Sequence, residues 1–524
     1  MKVLELVGGY VGKILEIDLT DEYVRKIPLD LEVAKKFIGG RGLADKLFWD
    51  RMKPGIDPLS PENQFMLFTG PLTGFLTGNI TVARFKSPLV CTTNNIPLLG
   101  HSATGGQWGP ELKAAGYDGV IITGKAEEPV YIYINDDDIE IRDAKHLWGK
   151  TTHETEPTIK KETSPFARVL CIGPAGENLV RYASIQQEYF RGLCRCGGGA
   201  VWGSKNLKAV AVRGTKDLPL ENPEAYKELF EKVFKLVVKD RQFVYLRRRW
   251  GSITANLIQC EYSTGPIKNW REAYWDEGGK WFEQAAVFQW ESRCRVKNRG
   301  CYGCITPCMQ LGVIRKGPYA GTVDNPDFDS TMLIGPNCMV TDPDGLYALE
   351  AFIEQCGLDS ITFGNVVSWA MECYEKGIFT KQDLDGIELT WGNVDAMFKL
   401  AKKVTYREGI GDLLAEGVKR ASEKVGKGSE KFAIHCKGVE WGAGGGAGQR
   451  RDYHMCYNYA MSSHGGVHKY GSTIAWQNEI AMFDSLTYCF YYSPVQNGPI
   501  TWEIISEALR VVTVSYTHLT LPTN

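Results

Sequence analysis

The hydrophobic period of this chain changes part-way along. Up to about residue 215 it is the period of strands: Leu15, Ile17 and Leu19 alternate with Glu16 and Asp18, as in a half-buried strand. Val130 to Ile134 and Ile139 to Ile141 flank the polar run Asn135 to Asp138 and predict a hairpin. Val120 to Ile122, Val169 to Ile172 and Leu207 to Val212 are further apolar runs of strand length. Glycine clusters at Gly39-Gly40, Gly105-Gly106 and Gly197 to Gly199 punctuate them.

From about residue 216 the period becomes helical. Asn222 caps and Pro223 opens a helix with Tyr226, Leu229, Phe230, Val233, Phe234 and Val237 on one stripe. Thr341-Asp-Pro343 opens another, with Leu346, Leu349, Phe352, Ile353 and Cys356 inward and Gly357 as its stop. Val366 to Lys376, Val394 to Val404, Asp412 to Val425 and Trp502 to Val511 continue the pattern. The expectation is an α+β fold with a β-rich first domain over residues 1–215, then a helical domain over 216–430 and a helical, glycine-rich domain over 431–524.

The last region holds the run Gly442 to Gly448 and three histidines, His454, His464 and His468. Such glycines allow a backbone to approach a ligand closely, or form a flexible loop. The tail, Val514 to Asn524, loses all periodicity and reads as translated sequencing-adapter sequence, so the natural chain is expected to continue.

Composition narrows the class. A chain of 524 residues with 44% hydrophobic and 23% charged content is an ordinary globular one, long enough for about three domains. A net charge of −2 argues against a dedicated nucleic-acid binder, and the short run Arg247 to Arg249 reads as a solvated face. Met1 to Tyr10 lacks the apolar core of a signal peptide, and no run approaches the ~18 apolar residues that span a bilayer. A cytoplasmic protein is expected, in which 15 cysteines serve as ligands or core residues and not as disulfides. Cys171, inside the apolar run Val169 to Ile172, reads as core.

The chemistry concentrates in Cys301-Tyr-Gly-Cys304-Ile-Thr-Pro-Cys308. Three thiols at C-x2-C-x3-C spacing can wrap three corners of an iron–sulfur cube, with a remote cysteine, here Cys489, closing the fourth. Zinc and plain burial are the alternatives. Zinc sites of this kind usually show two separate CxxC pairs, and no second pair exists.

Several phrases accompany the cysteines: Gly9-Tyr-Val-Gly-Lys-Ile14, Gly39-Gly-Arg-Gly42, Thr69-Gly-Pro-Leu-Thr-Gly74, Ala83-Arg-Phe-Lys-Ser-Pro-Leu89, Ala115-Gly-Tyr-Asp118, Gly173-Pro-Ala-Gly-Glu-Asn178 and Gly203-Ser-Lys-Asn-Leu-Lys-Ala209. In this order they resemble the aldehyde ferredoxin oxidoreductase family, over nearly the whole chain to about residue 511.

The resemblance implies a β-rich domain and two mainly helical ones around a tungsten or molybdenum held by two pterins, beside one [4Fe-4S] cluster. Cys301, Cys304, Cys308 and Cys489 stand at the family's cluster ligands. Its D-x-x-G-L-D phrase is matched by Glu354 to Asp359. Its D-x-x-G-L-C phrase is matched by Asp484 to Cys489, where Thr487 and Tyr488 replace Gly and Leu. Glu354, Asp359 and Asp484 are thereby implied to contact pterins. Arg84 and the segment Ala103-Thr-Gly105 are implied at the phosphates, as is Arg191-Gly192-Leu-Cys-Arg195, in which the backbone of Gly192 stands where the family helps hold a bridging magnesium.

For the chemical step the resemblance implies Asp329 as the group that activates water or the aldehyde hydrate. His468 is implied as the donor to the aldehyde oxygen, with Asp327, His464 and His454 as neighbouring alternatives. The family's aryl-CoA-reducing branch carries a metal-binding cysteine where this chain has Asp329. Ala348 stands where some members place a ligand for a subunit-bridging iron, so that iron is not expected, and Cys338 reads as core. The implied activity is oxygen-sensitive oxidation of an aldehyde to a carboxylic acid, with electrons leaving to ferredoxin or a related low-potential carrier. Reduction of an acid or acyl-CoA is the alternative within the family, and an iron–sulfur electron-transfer subunit without pterin is the alternative outside it. A homodimer or a complex with electron-transfer subunits is the implied assembly.

Overall fold

Two six-stranded sheets occupy the first part of the chain. The structure, a computed structural model, describes residues 8–513 apart from 77, 254, 256–263, 273–274, 276–289, 445–452, 468–473 and 497. The first sheet is built from β1 (Lys13–Asp18), β2 (Tyr23–Pro28), β3 (Phe65–Phe68), β4 (Thr81–Cys91), β5 (Pro97–Thr104) and β6 (Gly119–Thr123), in the order β2-β1-β6-β3-β4-β5. The second contains β7 (Val130–Asn135), β8 (Asp138–Asp143), β9 (Arg168–Ile172), β10 (Ile185–Gln187), β11 (Arg191–Leu193) and β12 (Leu207–Arg213), ordered β11-β10-β9-β12-β7-β8.

The alternation seen in the sequence explains β1. Leu15 and Ile17 enter one core while Ile14 enters another, so the strand is covered on both faces. Glu16, on the second face, is buried and paired with Arg25 and Arg51. The predicted hairpin is β7 with β8, in register from Val130↔Asp143 to Asn135↔Asp138.

Three expectations differ from the structure. The first part also carries helices, Leu31–Phe37, Gly40–Arg51, Trp108–Ala115 and Thr152–Glu162. The second of these begins at a glycine, a residue that reads as loop, and its apolar positions lack a clean helical stripe. The single helix expected over Asp412 to Val425 is two, Ile410–Leu414 and Val418–Val425, because Gly417 at φ 83° breaks the right-handed path between them. The stripe of Pro223–Lys239 is narrower than expected, with Leu229, Val233 and Val237 buried and Phe234 exposed.

Packing ties the ends of the chain together. One core runs from both sheets into Pro343–Cys356, Ser360–Glu375 and Val394–Tyr406. The other gathers the opposite face of the first sheet with Gly40–Arg51, Pro223–Lys239, Ile474–Leu486 and Trp502–Val512. Both cores therefore combine residues from before 215 and after 430, and the site forms where these contributions meet. Among the described residues no helix is long and apolar enough to cross a membrane.

Candidate metal and cofactor site

The three clustered cysteines sit at the tip of a hairpin. Strands Arg295–Arg299 and Met309–Val313 pair antiparallel with Arg299 opposite Met309, so residues 300–308 form the connection. The Cys304 amide donates to the Cys301 carbonyl at 3.1 Å, which turns the loop. The first sheet receives it: the Tyr302 amide donates to the Gly106 carbonyl at 3.1 Å, and the Asn79 side-chain amide donates to the Tyr302 carbonyl at 3.1 Å. Gly105 cannot carry a side chain here, since a Cβ would stand 2.7 Å from Sγ of Cys301.

Cys489 closes the group. Its amide donates to the Gly78 carbonyl at 2.5 Å, next to Asn79. Burial pushes the Cys308 thiol up to about 12 and raises Cys489 as well, and each is raised further by the charges of the other cluster cysteines. The guanidinium of Arg191 opposes this at Cys301, where Nη1 donates to Sγ at 3.1 Å. Tyr492 Oη lies 3.4 Å from Sγ of Cys304. Four cysteines gathered around one arginine, three of them with thiols raised by burial and by their neighbours, suit a polynuclear cluster, which stabilises thiolates. Among the described residues, no three His, Cys, Asp or Glu side chains converge closely enough for a single metal ion, as zinc would need. Cys171 and Cys338 are buried core residues.

Two segments approach this region in the same way. Glu354 lies in the last turn of Pro343–Cys356, and Gly357 at φ 74° ends that helix. Leu358 then bridges antiparallel to Ala183, and the Asp359 amide donates to Tyr182 O at 3.0 Å. Asp484 lies in the last turns of Ile474–Leu486, followed by Thr487 at φ 56°. Tyr488 bridges antiparallel to Asn79, and the Cys489 amide reaches Gly78 O. The repeat of helix end, left-handed residue and short bridge places Glu354 and Asp484 in corresponding positions.

Their surroundings differ. Glu354 Oε2 is buried with no partner among the described residues, and burial together with Glu350 and Asp327 raises its pKa well above the usual carboxylate range. Asp484 faces His101 Nε2 at 3.3 Å and Arg41 Nη1 at 3.8 Å. Burial lowers His101 to about 4 against the pull of Asp484, so the ring is neutral near pH 7. His464 stacks on it with centroids 5.4 Å apart and is also held far below its ordinary value by burial.

Asp359 is fully occupied. Its Oδ1 caps Ser360–Glu375 through the Ile361 amide at 3.2 Å, and its Oδ2 accepts from Arg195 Nη1 at 3.0 Å and Thr362 Oγ1 at 2.7 Å. Arg195 also donates to the Glu440 carbonyl at 2.6 Å. Arg84 is buried against Asp45. Ala103 pairs with Val82 in β5, one strand position from the loop at Gly105. In β11, a Cβ on Gly192 would meet Gln186 Oε1 at 2.6 Å.

Asp329 opens the helix Phe328–Ile334 and is half-buried, with Oδ1 accepting from the Ala443 amide at 2.7 Å. Its charge reaches Arg195. His468 lies outside the described residues. His454 belongs to the helix Tyr453–Met461.

Two residues escaped the sequence reading. Glu440 is fully buried, bonded through Oε1 to the Val418 amide at 2.8 Å and through Oε2 to Thr362 Oγ1 at 3.0 Å, and burial raises it to about 7. It lacks a local signal, because its partners are distant in sequence. His101 does have one: in a paired β4–β5 register it stands opposite Arg84.

The region leaves a bank of buried polar atoms unmatched. Among the described residues, Gln186 Oε1, Gln187 Oε1, Glu188 Oε1, Glu354 Oε2 and Arg191 Nη2 have no hydrogen-bond partner. Native interiors pair nearly all such atoms, so atoms left unmatched on both faces of β10 fit a ligand rich in donors and acceptors, as a pterin is.

Comparison with known proteins finds relatives along most of the chain. The family model described as aldehyde ferredoxin oxidoreductase, N-terminal domain, matches residues 14–214, and that for domains 2 and 3 matches residues 228–517. The chain is 37% identical over 510 residues to a Pyrococcus furiosus aliphatic sulfonate oxidoreductase, WOR-like subunit, covering 92% of this chain and 79% of that protein. It is 35% identical over 535 residues to a tungsten-containing aldehyde ferredoxin oxidoreductase of the same organism, covering 95% and 86%. Among solved structures it resembles the active-site complex BamBC of benzoyl coenzyme A reductase with 1,5-dienoyl-CoA, at TM-score 0.73 and 33% identity. That likeness covers 83% of this chain and 66% of the other, just under two thirds of its length.

Proposed function

Because the chain belongs to the aldehyde ferredoxin oxidoreductase family, we propose that it oxidises an aldehyde with water to a carboxylic acid and passes the electrons to a ferredoxin. The single observation that carries this reading is the adjacency of the cysteine corner to the repeated acid segments, with Cys489 five residues after Asp484 on one continuous turn. An iron–sulfur electron-transfer subunit alone would not need the second acid segment or the unmatched polar bank beside it.

Cys301, Cys304, Cys308 and Cys489 would hold a [4Fe-4S] cluster. Glu354, Asp484, Gln186 and Gln187 would hold a tungsten or molybdenum bis-pterin, and Arg84, Arg195 and the backbone at Gly105 and Gly192 would supply charge and amides to its phosphates and to a magnesium. When bound, these groups accept two electrons from the substrate and release them one at a time. Neutral Glu354 can donate a hydrogen bond from its carboxyl, while Asp484 accepts. Asp329, oriented by the Ala443 amide, takes the proton from water or the aldehyde hydrate, and His468 donates to the aldehyde oxygen. Arg191 donates to the Cys301 sulfur and favours its thiolate against the burial that raises it.

A second reading, reduction of an acid or acyl-CoA, draws on the likeness to the benzoyl coenzyme A reductase complex. A carboxylate at Asp329, where the aryl-CoA branch is expected to carry a thiol, favours aldehyde oxidation. The test is metal and pterin analysis of anaerobically purified protein, followed by aldehyde-dependent viologen reduction. About four irons with tungsten or molybdenum and pterin, and activity lost in both Asp329→Asn and His468→Gln with the cluster spectrum intact, is the expected result. Iron without pterin would sink the reading.

A further inference from the structure

Although the chain carries a net charge of −2, one face beside the cysteine corner is concentrated in arginine. The helix Arg241–Trp250 and the strand Arg295–Arg299 enclose an open groove of about 750 Å³. Among the described residues it is lined by Arg241, Arg248, Arg249 and Arg295 against one carboxylate, Glu291. Glu291 pairs with Arg249 at 2.7 Å and lies 3.8 Å from Arg295. No carboxylate pairs with Arg241 or Arg248 among the described residues, and both are exposed.

Favourable placement of cations at a helix C-terminus accounts for Arg247 to Arg249. It does not account for Arg241 at the opposite end of that helix, or for Arg295, Lys297 and Arg299 on the facing strand. A solvated surface would not explain the second observation either, which is where this face leads. Its strand runs directly into Cys301. Asn298 joins the two walls to the cysteine loop, its side-chain amide donating to the Arg248 carbonyl and to the Pro307 carbonyl at 3.2 Å. Gly251, just after the helix, packs so tightly on Cys308 that a Cβ would meet its carbonyl oxygen at 2.2 Å. The Arg247 guanidinium lies 4.0 Å from the ring centroid of Tyr491, two residues beyond Cys489. The arginine face is thus the outer wall of the cysteine corner. Tyr302 and Val296, 46% and 58% exposed, add apolar contact area at the same place.

We propose that this face docks an acidic one-electron carrier protein of the ferredoxin class, which collects electrons through the wall formed by the cysteine loop. The proposal rests on the redox reading above and names where that reading's partner binds. For each aldehyde and water converted to acid, two oxidised carriers are each reduced by one electron in successive dockings, and two protons are released. Attraction between the arginines and an acidic carrier accelerates encounter and sets orientation. A shallow open groove bordered by exposed tyrosine and valine suits a protein surface.

The test uses the holoenzyme, an acidic single-cluster ferredoxin and, separately, methyl viologen as acceptors. In Arg241→Glu/Arg248→Glu, kcat/KM for ferredoxin at low ionic strength should fall by roughly ten- to a hundredfold and lose its steep salt dependence. Viologen rates should be unchanged or raised, and Arg241→Lys/Arg248→Lys should restore ferredoxin kinetics. Binding of oxidised ferredoxin, measured by calorimetry without turnover, should weaken in the same variant. Equal ferredoxin binding by wild type and the charge-reversed variant would overturn the proposal. An enzyme that binds ferredoxin through these arginines yet reduces no acceptor with aldehydes would support the docking site while refuting the aldehyde reading.

Discussion

Gly357 and Thr487 hold corresponding left-handed turns, at φ 74° and 56°, each just after a helix that carries a candidate cofactor acid. In both, the carbonyl of this residue accepts from the backbone amide just before a strand, Ser184 N at 2.8 Å for Gly357 and Ile80 N at 3.0 Å for Thr487. Glycine adopts such a φ without penalty, whereas a β-branched residue pays roughly 1–2 kcal/mol. Thr487 is held there by its hydroxyl, which bonds Thr73 Oγ1 at 2.6 Å.

This difference predicts opposite behaviour on substitution. Gly357→Ala should lower stability by about 1–3 kcal/mol, since its Cβ would also stand 2.8 Å from Gly173 N. Thr487→Gly should be within about 1 kcal/mol of wild type, the relieved strain offsetting the lost hydrogen bond. Chemical denaturation of both variants checks this, and equal losses would show that the strain at Thr487 is absent.

Arg191 beside Cys301 predicts a redox effect. Arg191→Met removes a positive charge and a donor from the cluster's edge, which disfavours the reduced form. The midpoint potential should fall by on the order of tens of millivolts, with Arg191→Lys closer to wild type. Spectroscopic redox titration reads this directly, and an unchanged potential would place the guanidinium's influence elsewhere.

Glu440 predicts a pH dependence. Its pKa is raised by burial from 4.5 to about 7 in the folded protein, so the native state binds more protons than the unfolded chain between those values. Its stabilising contribution is therefore complete below about pH 4.5 and is lost as pH rises through 7. Glu440→Gln should stay protonated-like throughout, so wild type should lose up to about 3 kcal/mol relative to it between pH 5 and 8. Denaturation midpoints across that range decide, and parallel curves would refute a raised Glu440.

The buried pair Lys113–Asp118 predicts a structural loss. Asp118 lies 3.6 Å from Lys113 Nζ and accepts from the Val11 and Gly12 amides at 3.0 and 2.7 Å, fixing the entry to β1. Burial lowers Lys113 to about 8 and raises Asp118. Asp118→Ala removes the counter-charge of buried Lys113 and the acceptor of the Val11 and Gly12 amides, and should cost about 3–5 kcal/mol. A milder loss in the double variant Lys113→Met/Asp118→Leu would confirm that the unpaired charge is the cause.

Most elements could be read locally because period reports burial. Leu15 and Ile17, the hairpin of β7 and β8, and the capped helices at Asn222 and Asp342 each follow from a few neighbouring residues. The helix Gly40–Arg51 could not, because its glycine start is dictated by contact: a Cβ on Gly40 would stand 2.2 Å from the Asp484 carbonyl, more than four hundred residues away. Arg191, which the resemblance places at the pterin phosphates, also donates from Nη1 to Cys301, a contact that no local pattern records.

What the sequence determined by itself was the succession of strands and helices, the spacing of three thiols, and the glycine stop of the helix at Gly357, because all of these are local regularities. Which groups meet was decided by tertiary structure. His101 against Asp484, Arg195 between Asp359 and Glu440, and the arginine face behind Cys308 depend on packing segments that are far apart in the chain. Their protonation and charge follow from that burial, which no local period records.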